Sequence, residues 1–171
     1  MTRRRGILVP TVGGMVGVGF AGREVFTLHL PGEGEETIIR SLTDWAGVAP
    51  SVDDASPLAR KLVVYYDGSR VDFTGVPLDL SWASPFARTV YEAVIKVPWG
   101  TTVTYGALAA ILGRPAASRA VGGALGTNRI PLIIPCHRVV AANGKLTGFS
   151  APGGVATKRY MLRLEGALHP A

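Results

Sequence analysis

Residues 104–125 read TYGALAAILGRPAASRAVGGAL, and the fold class turns on this stretch. Thr104 is placed to cap a helix on which Tyr105, Leu108, Ile111 and Leu112 recur at helical spacing, and Gly113 stops it. Pro115 to about Leu125 predicts a second helix. Two short helices joined by Gly113-Arg114-Pro115 have the outline of a helix-turn-helix, whose second member enters a nucleic-acid groove. Ala116, Ala117, Ala120, Gly122, Gly123 and Ala124 keep that helix's surface low, while Ser118 and Arg119 project from it. Such a helix is suited to close approach. Helical hairpins also occur in many proteins that never touch DNA, so the outline alone leaves both readings open.

Working outward, Ser84-Pro85 opens a helix with Phe86, Val90, Tyr91 and Val94 on one side, and Pro98 ends it. Residues 77–171 are therefore expected to form a mainly α-helical domain. The first 76 residues follow a different pattern. Val16, Val18 and Phe20 alternate, Gly22 sits in a turn, and Val25 to Leu30 continues with β-formers, which predicts a hairpin. Ser56-Pro57 supplies an N-cap and first-turn proline for a helix carrying Leu58, Leu62 and Tyr65 or Tyr66, ended by Asp67-Gly68. A short strand is expected around Val71 to Phe73. The first part is then an α+β domain, with residues 75–81 as the link.

The composition agrees with a folded protein. The chain has 171 residues, 47% apolar and 18% charged, enough to bury a sizeable core. Its 22 glycines and 12 prolines follow no repeat, which excludes fibrous and low-complexity classes. The net charge of +6 is unevenly spread: residues 1–80 carry eight basic and ten acidic side chains, residues 81–171 ten basic and only Glu92 and Glu165 as acids. The second half is the part suited to an anion, and a polyanion such as nucleic acid is the usual one. A merely soluble basic face is the alternative. The lone Cys136 forms no intramolecular disulfide and suits a reducing cytoplasm. Arg3, Arg4 and Arg5 before the uncharged run 6–22 imitate an export signal, but Pro10, six glycines and the lack of an A-x-A site make it mature structure. No run is long enough to span a membrane.

Two motifs carry a possible chemistry. Gly17 to Gly22 matches G-x-G-x-x-G, yet a dinucleotide site needs a helix after it, and Arg23 to Leu30 reads as strand. A glycine-rich hairpin accounts for the match, and no cofactor is expected. Ile133-Ile134-Pro135-Cys136-His137-Arg138-Val139 is sharper. A free cysteine after an apolar run is most often packing, but this one is flanked by His137 and Arg138, both able to favour a thiolate. In an extended segment adjacent Cys and His point to opposite sides, so a water would have to join them. His137 would want an acid on its other nitrogen, and only Glu92 and Glu165 are on offer.

At Pro135-Cys136-His137-Arg138-Val139 the sequence closely resembles the O6-alkylguanine-DNA alkyltransferases, direct-reversal DNA repair proteins. Ser84-Pro85-Phe86, Val97-Pro98-Trp99-Gly100, Thr104-Tyr105, Ser118 to Gly122, Asn128 and Leu162 to Gly166 appear in family order. The resemblance implies an RNase H-like α+β N-terminal domain ahead of the helical one. It makes Cys136 the acceptor of a methyl or alkyl group from guanine O6, or thymine O4, in one irreversible turnover without a cofactor. His137 would deprotonate the thiol through a water, Glu165 would orient His137, and Asn128 would tie the turn. Because a base inside a duplex cannot reach the thiol, it must be flipped out. Arg119 would fill the gap, Ser118, Ala120 and Gly122 would line the groove-facing helix, and Tyr105 would turn the phosphate backbone and donate to guanine N3. Pro131, Val139, Phe149 and Ser150 map onto the pocket. The implied partner is double-stranded DNA carrying O6-alkylguanine, met by a monomer, with cooperativity along DNA left open. Residues 148–154 are longer than the compact loop of some members. Some members also hold zinc N-terminally, but residues 1–80 offer only His29 and no cysteine, so no metal is expected. Two other classes stay in view: a lesion-signalling DNA-binding module in which Cys136 only packs, and a cysteine hydrolase, which lacks a separated histidine and an oxyanion motif.

Overall fold

The alternating apolar residues between 4 and 29 build a sheet of three antiparallel strands, β1 (Arg4–Thr11), β2 (Gly14–Ala21) and β3 (Glu24–His29). The structure is a computed structural model that describes residues 2–168. It divides into two units, Met1–Asp79 and Leu80–Ala171. In the first, the expected hairpin forms as β2 and β3 around Gly22 at φ 63°. β1 pairs with the other edge of β2, and a two-residue β4 (Ser51–Val52) joins β1 in parallel, giving the order β3-β2-β1-β4.

Helix α1 (Glu35–Ala46), which the sequence pattern does not announce, lies on this sheet with Ile38 and Leu42 clustered against Leu8. Glu35 and Glu36 occupy its first turn, where the helix dipole favours negative charge. Its close approach explains the glycine motif. A Cβ on Gly17 would collide with Ile38, and one on Gly19 would stand 2.9 Å from the Trp45 ring. The glycines seat a helix rather than a phosphate. Helix α2 (Pro57–Tyr66) starts as expected, with the Ser56 hydroxyl accepting from the Ala59 amide at 3.3 Å, and buries Leu58, Leu62, Tyr65 and Tyr66. The strand expected at 71–73 does not form. Asp72 instead accepts from the Thr74 amide at 2.8 Å and its carbonyl accepts from Lys61 Nζ, so the segment turns, while Phe73 rests beside the Tyr65 ring.

The second unit begins with α3 (Pro85–Ile95), capped by Ser84. A two-residue β5 (Val103–Thr104) leads into α4 (Tyr105–Ile111), whose N-cap hydroxyl is Thr104. Helix α5 (Ser118–Gly126) starts three residues later than expected, because residues 114–117 close a turn through an Ala117 amide to Arg114 carbonyl bond. Tyr91 of α3 donates to the Ala124 carbonyl of α5 at 2.7 Å, fixing the two helices together. Ile111 does not join the apolar face assigned to it; it is 69% exposed at the end of α4. A single-turn 3-10 helix (Cys136–Arg138), a short β6 (Val139–Val140) and α6 (Val155–Leu164) complete the unit. Among the described residues no helix is long and apolar enough to cross a membrane.

Candidate active site

One short parallel ladder and the side-chain bonds of Asn128 place the cysteine. β5 and β6 pair in parallel, Val103 with Val139 and Thr104 with Val140. Tyr105 directly follows β5 and the Cys136–Arg138 turn directly precedes β6, so this pairing brings the first residue of α4 beside the thiol. The apolar run 130–134 ahead of the cysteine is a tight turn in which Leu132 adopts φ 75°, a left-handed conformation uncommon for a bulky residue. Asn128 closes that turn from within. Its Oδ1 accepts from the Ile130 amide at 2.9 Å, and its Nδ2 donates to the Ile134 carbonyl at 3.0 Å and to Cys136 Sγ at 3.3 Å. Cys136 is not in an extended segment, since the chain coils into the 3-10 turn immediately after Pro135.

His137 and Glu165 are both buried and joined by a 2.6 Å bond from Nε2 to Oε1. Arg138 completes the cluster. Its Nε donates to Glu165 Oε2 at 2.8 Å, its Nη2 to Oε1 at 3.1 Å and its Nη1 to the Val97 carbonyl at 2.6 Å. Burial alone would push the Glu165 carboxyl up, but the hydrogen bond from His137, followed by the hydrogen bonds and charge of Arg138, outweighs it and holds it down to about 2. An ionised Glu165 can only accept, so Nε2 carries the proton and Nδ1 has the lone pair. That Nδ1 is buried and finds no hydrogen-bond partner among the described residues. It is the basic atom of the site. Burial lowers the His137 pKa against the pull of Glu165, which keeps the ring neutral. Arg138, read from sequence as a promoter of the thiolate, is instead committed to Glu165 and Val97.

The promoter is a residue the sequence reading passed over. Burial holds the Cys136 thiol above its ordinary range, and the Asn128 hydrogen bond and then the charge of Lys158 offset this only in part. Lys158 of α6 is fully buried, donates to the Thr147 carbonyl at 3.1 Å and sits 5.8 Å from the Tyr105 ring centroid. The same Thr147 carbonyl accepts from the Tyr105 hydroxyl at 3.2 Å. A lysine on an amphipathic helix reads as a solvated charge. Only the fold shows it turned inward, with its own pKa lowered by burial.

A cleft of about 470 Å³ opens over the thiol, lined by Tyr105, Gly122 and Leu125 on one side and Gly148, Phe149 and Ser150 on the other. Of the residues assigned to the pocket, Phe149 and Ser150 line it. Pro131 bridges to Ile134 and Val139 is buried in β6, and neither reaches the cleft wall. Ser118, Arg119, Ala120 and Gly122 all lie on α5, with Arg119 exposed. No group of three or more His, Cys, Asp or Glu able to hold a metal occurs among the described residues.

The buried cluster makes stability sensitive to acid. Below pH about 6.5 the unfolded chain protonates its histidine while folded His137 resists. Between about 4.5 and about 2 it protonates Glu165's carboxyl ahead of the folded form. In both windows the unfolded state binds more protons, so stability present above them is lost as pH falls. Urea unfolding followed from pH 8 to pH 3 should show this decline, with Glu165→Gln flattening its lower part; an unchanged slope in the variant would refute the assignment.

Comparison with known proteins gives the arrangement a lineage. Residues 85–167 match the family model described as 6-O-methylguanine DNA methyltransferase, DNA binding domain. A methylated-DNA--protein-cysteine methyltransferase of Mycobacterium bovis is 41% identical over 137 residues, covering 80% of this chain and 79% of the relative. The crystal structure of the Mycobacterium tuberculosis O6-methylguanine methyltransferase superposes with a TM-score of 0.77 at 34% identity, covering 98% of this chain and 96% of that one. That organism's OGT in complex with DNA superposes with a TM-score of 0.75 at 32% identity over the same shares. Since similarity of this extent embraces both units as well as the cysteine turn, the chain belongs to the O6-methylguanine DNA methyltransferase family.

Proposed function

We propose that this protein repairs alkylated DNA by moving a methyl or alkyl group from guanine O6 onto Cys136 Sγ, once per molecule. The observation that carries the reading is the thiol at the floor of an open cleft, next to a buried neutral histidine whose other nitrogen is fixed by a carboxylate. The thiol proton passes through a water to His137 Nδ1, and Glu165 stabilises the imidazolium that results. Lys158 supplies the positive charge that a buried thiolate lacks elsewhere. The Sγ–C bond forms as the C–O6 bond breaks, the electron pair passes into the guanine, and Tyr105 donates its phenolic proton to N3 so that a neutral base leaves. Burial holds the Tyr105 phenol above its ordinary pKa, so it stays protonated until needed. The thioether has no route back to thiol.

To present the base, α4 and α5 act as a helix-turn-helix, with α5 in the minor groove and Arg119 inserted where the flipped nucleotide stood. The small residues of α5 support this reading. We assign duplex DNA binding and alkyl acceptance to residues 77–171, a supporting role to the RNase H-like domain at 1–76, and a monomer in the reducing cytoplasm as the working form. The test is mass spectrometry of the intact protein after exposure to a duplex with one O6-methylguanine, followed by peptide mapping. One methyl per molecule, on Cys136, is the expected result. If the duplex is bound while the protein mass never changes, the protein senses lesions without accepting them.

A further inference from the structure

The first unit carries a cleft of its own, about 350 Å³ in volume, between the sheet, the start of α2 and residues 74–77. Its floor follows from strand register. Arg5 of β1 pairs with Phe20 of β2, and Phe20 with Val25 of β3, so the three side chains form one row across the sheet. Phe20, Val25 and, from α2, Leu58 are buried there and make the floor apolar. The rim is cationic: Arg5, Arg23 and Lys61 line it, and among the described residues no acid does. The Arg5 guanidinium lies 4.1 Å from the Phe20 ring centroid, which sets its plane in advance. Arg23, in the turn between β2 and β3, is exposed and is engaged by no ion pair among the described residues. Lys61 gives one of its three N–H donors to the Asp72 carbonyl at 2.7 Å and keeps the others.

The acids of this unit stand elsewhere. The Asp53 carboxylate accepts from the Ala55 and Ser56 amides, both at 3.0 Å, and that of Asp72 from the Thr74 amide at 2.8 Å. The charges of Arg5 and Lys61 reach these two carboxylates only as contributions smaller than the hydrogen bonds from Ser56 and Thr74. Glu24 is one residue from Val25 and so lies on the opposite face of β3. Glu35, Glu36 and Asp44 belong to α1, which packs on the sheet's other face, where Gly19 meets Trp45. Glu33 is bonded to His29, Asp67 ends α2 at its far end, and Asp54 and Asp79 do not line the cleft. We infer that the cleft binds a small organic acid, with its apolar body on Phe20, Val25 and Leu58 and its carboxylate between Arg5, Arg23 and Lys61. Three cations against the two flanking carboxylates leave one positive charge, the complement of a carboxylate rather than of a doubly charged phosphate ester. A nucleic-acid backbone fits less well. It has no apolar group for this floor, and residues 1–80 carry ten acids against eight bases, a field that repels a polyanion. The site rests on the first unit alone and stands whether or not Cys136 accepts an alkyl group.

The experiment titrates the full chain with hydrocinnamate and follows heat and backbone amide shifts together. Hydrocinnamate should bind, with the shifts centred on Arg5, Arg23, Val25 and Lys61. Hydrocinnamyl alcohol, the same body without the charge, should bind about tenfold more weakly, the loss expected for one charge-assisted hydrogen bond. Acetate, the head without the body, should give no measurable heat. R23Q should weaken hydrocinnamate by about tenfold and leave the alcohol unaffected. Arg23 holds no other element in place, so this variant folds as the parent does. Equal affinity for the acid and the alcohol, an R23Q affinity for hydrocinnamate equal to the parent's, or shifts confined to residues beyond 80 overturns the site. Shifts at Arg5 and Arg23 that a DNA duplex produces and hydrocinnamate does not would overturn it in favour of a polyanion surface. None of these readouts involves transfer to Cys136, so a failure of the repair reading leaves them untouched.

Discussion

Cys136→Ser leaves the protein mass unchanged after exposure to O6-methylguanine duplex, and the duplex remains bound. A serine hydroxyl at this position keeps the shape of the turn and accepts the same Asn128 donor that now reaches Sγ at 3.3 Å. What it lacks is an accessible anion. His137 Nδ1 can take the proton of a thiol even where burial holds that thiol above its ordinary range, but an alcohol titrates many units higher still and is a far weaker nucleophile toward carbon. The expected loss is on the order of 10⁴-fold or more in transfer rate, comparable to the removal of a nucleophile from other covalent sites. Duplex affinity, which the proposed reading places on α5 and its neighbours, is expected to stay as in the parent. Quantitative mass spectrometry beside anisotropy separates the two, and a methyl adduct on any other residue of the variant would remove Cys136 from its assigned place.

The largest effect on stability belongs to Glu165→Ala. This substitution deletes the one carboxylate that meets both His137 and Arg138, leaving a guanidinium buried with only the Val97 carbonyl. Breaking a buried ion pair from one side costs about 3–5 kcal/mol, because the remaining charge is uncompensated. For a chain of this size that lowers Tm by about 10 °C. Glu165→Gln should fall between the parent and the alanine variant, since it keeps an acceptor for His137 and gives up the charge. Calorimetry on the three proteins orders them, and a loss below about 1 kcal/mol in the alanine variant would show that the cluster is solvated in solution.

The parts of this site that could be read in the sequence are those whose chemistry is local. Cys136, His137 and Arg138 are consecutive, and Asn128 and Glu165 stand at positions the family resemblance supplies. Helix starts were legible for the same reason: Ser56, Ser84 and Thr104 each carry a hydroxyl that bonds an amide three residues on. Helix α1 was not legible, because its first residue follows Gly34, which offers no capping side chain. Nor was the turn at 71–73. Val71 and Phe73 have strand-like side chains, and the decision belongs to Asp72, whose short carboxylate competes for the Thr74 amide. The role given to Arg138 failed for a related reason. Adjacency to a cysteine says nothing about where a long side chain ends, and its guanidinium ends on Glu165. Lys158 lies 22 positions beyond the cysteine it serves, on a helix whose pattern offers no hint that one lysine faces inward.

The Thr147 carbonyl receives two donors, one from Tyr105 and one from Lys158. If Tyr105 turns its phenol toward a guanine, as the proposed reaction requires, that oxygen does not become an orphaned acceptor, because Lys158 still holds it. The tyrosine exchanges one partner for another while the count of satisfied acceptors stays level, and a switch of that kind carries little enthalpic penalty. On the proposed reading, the proton donor is thus parked rather than locked, ready for a base that arrives once and is never met again.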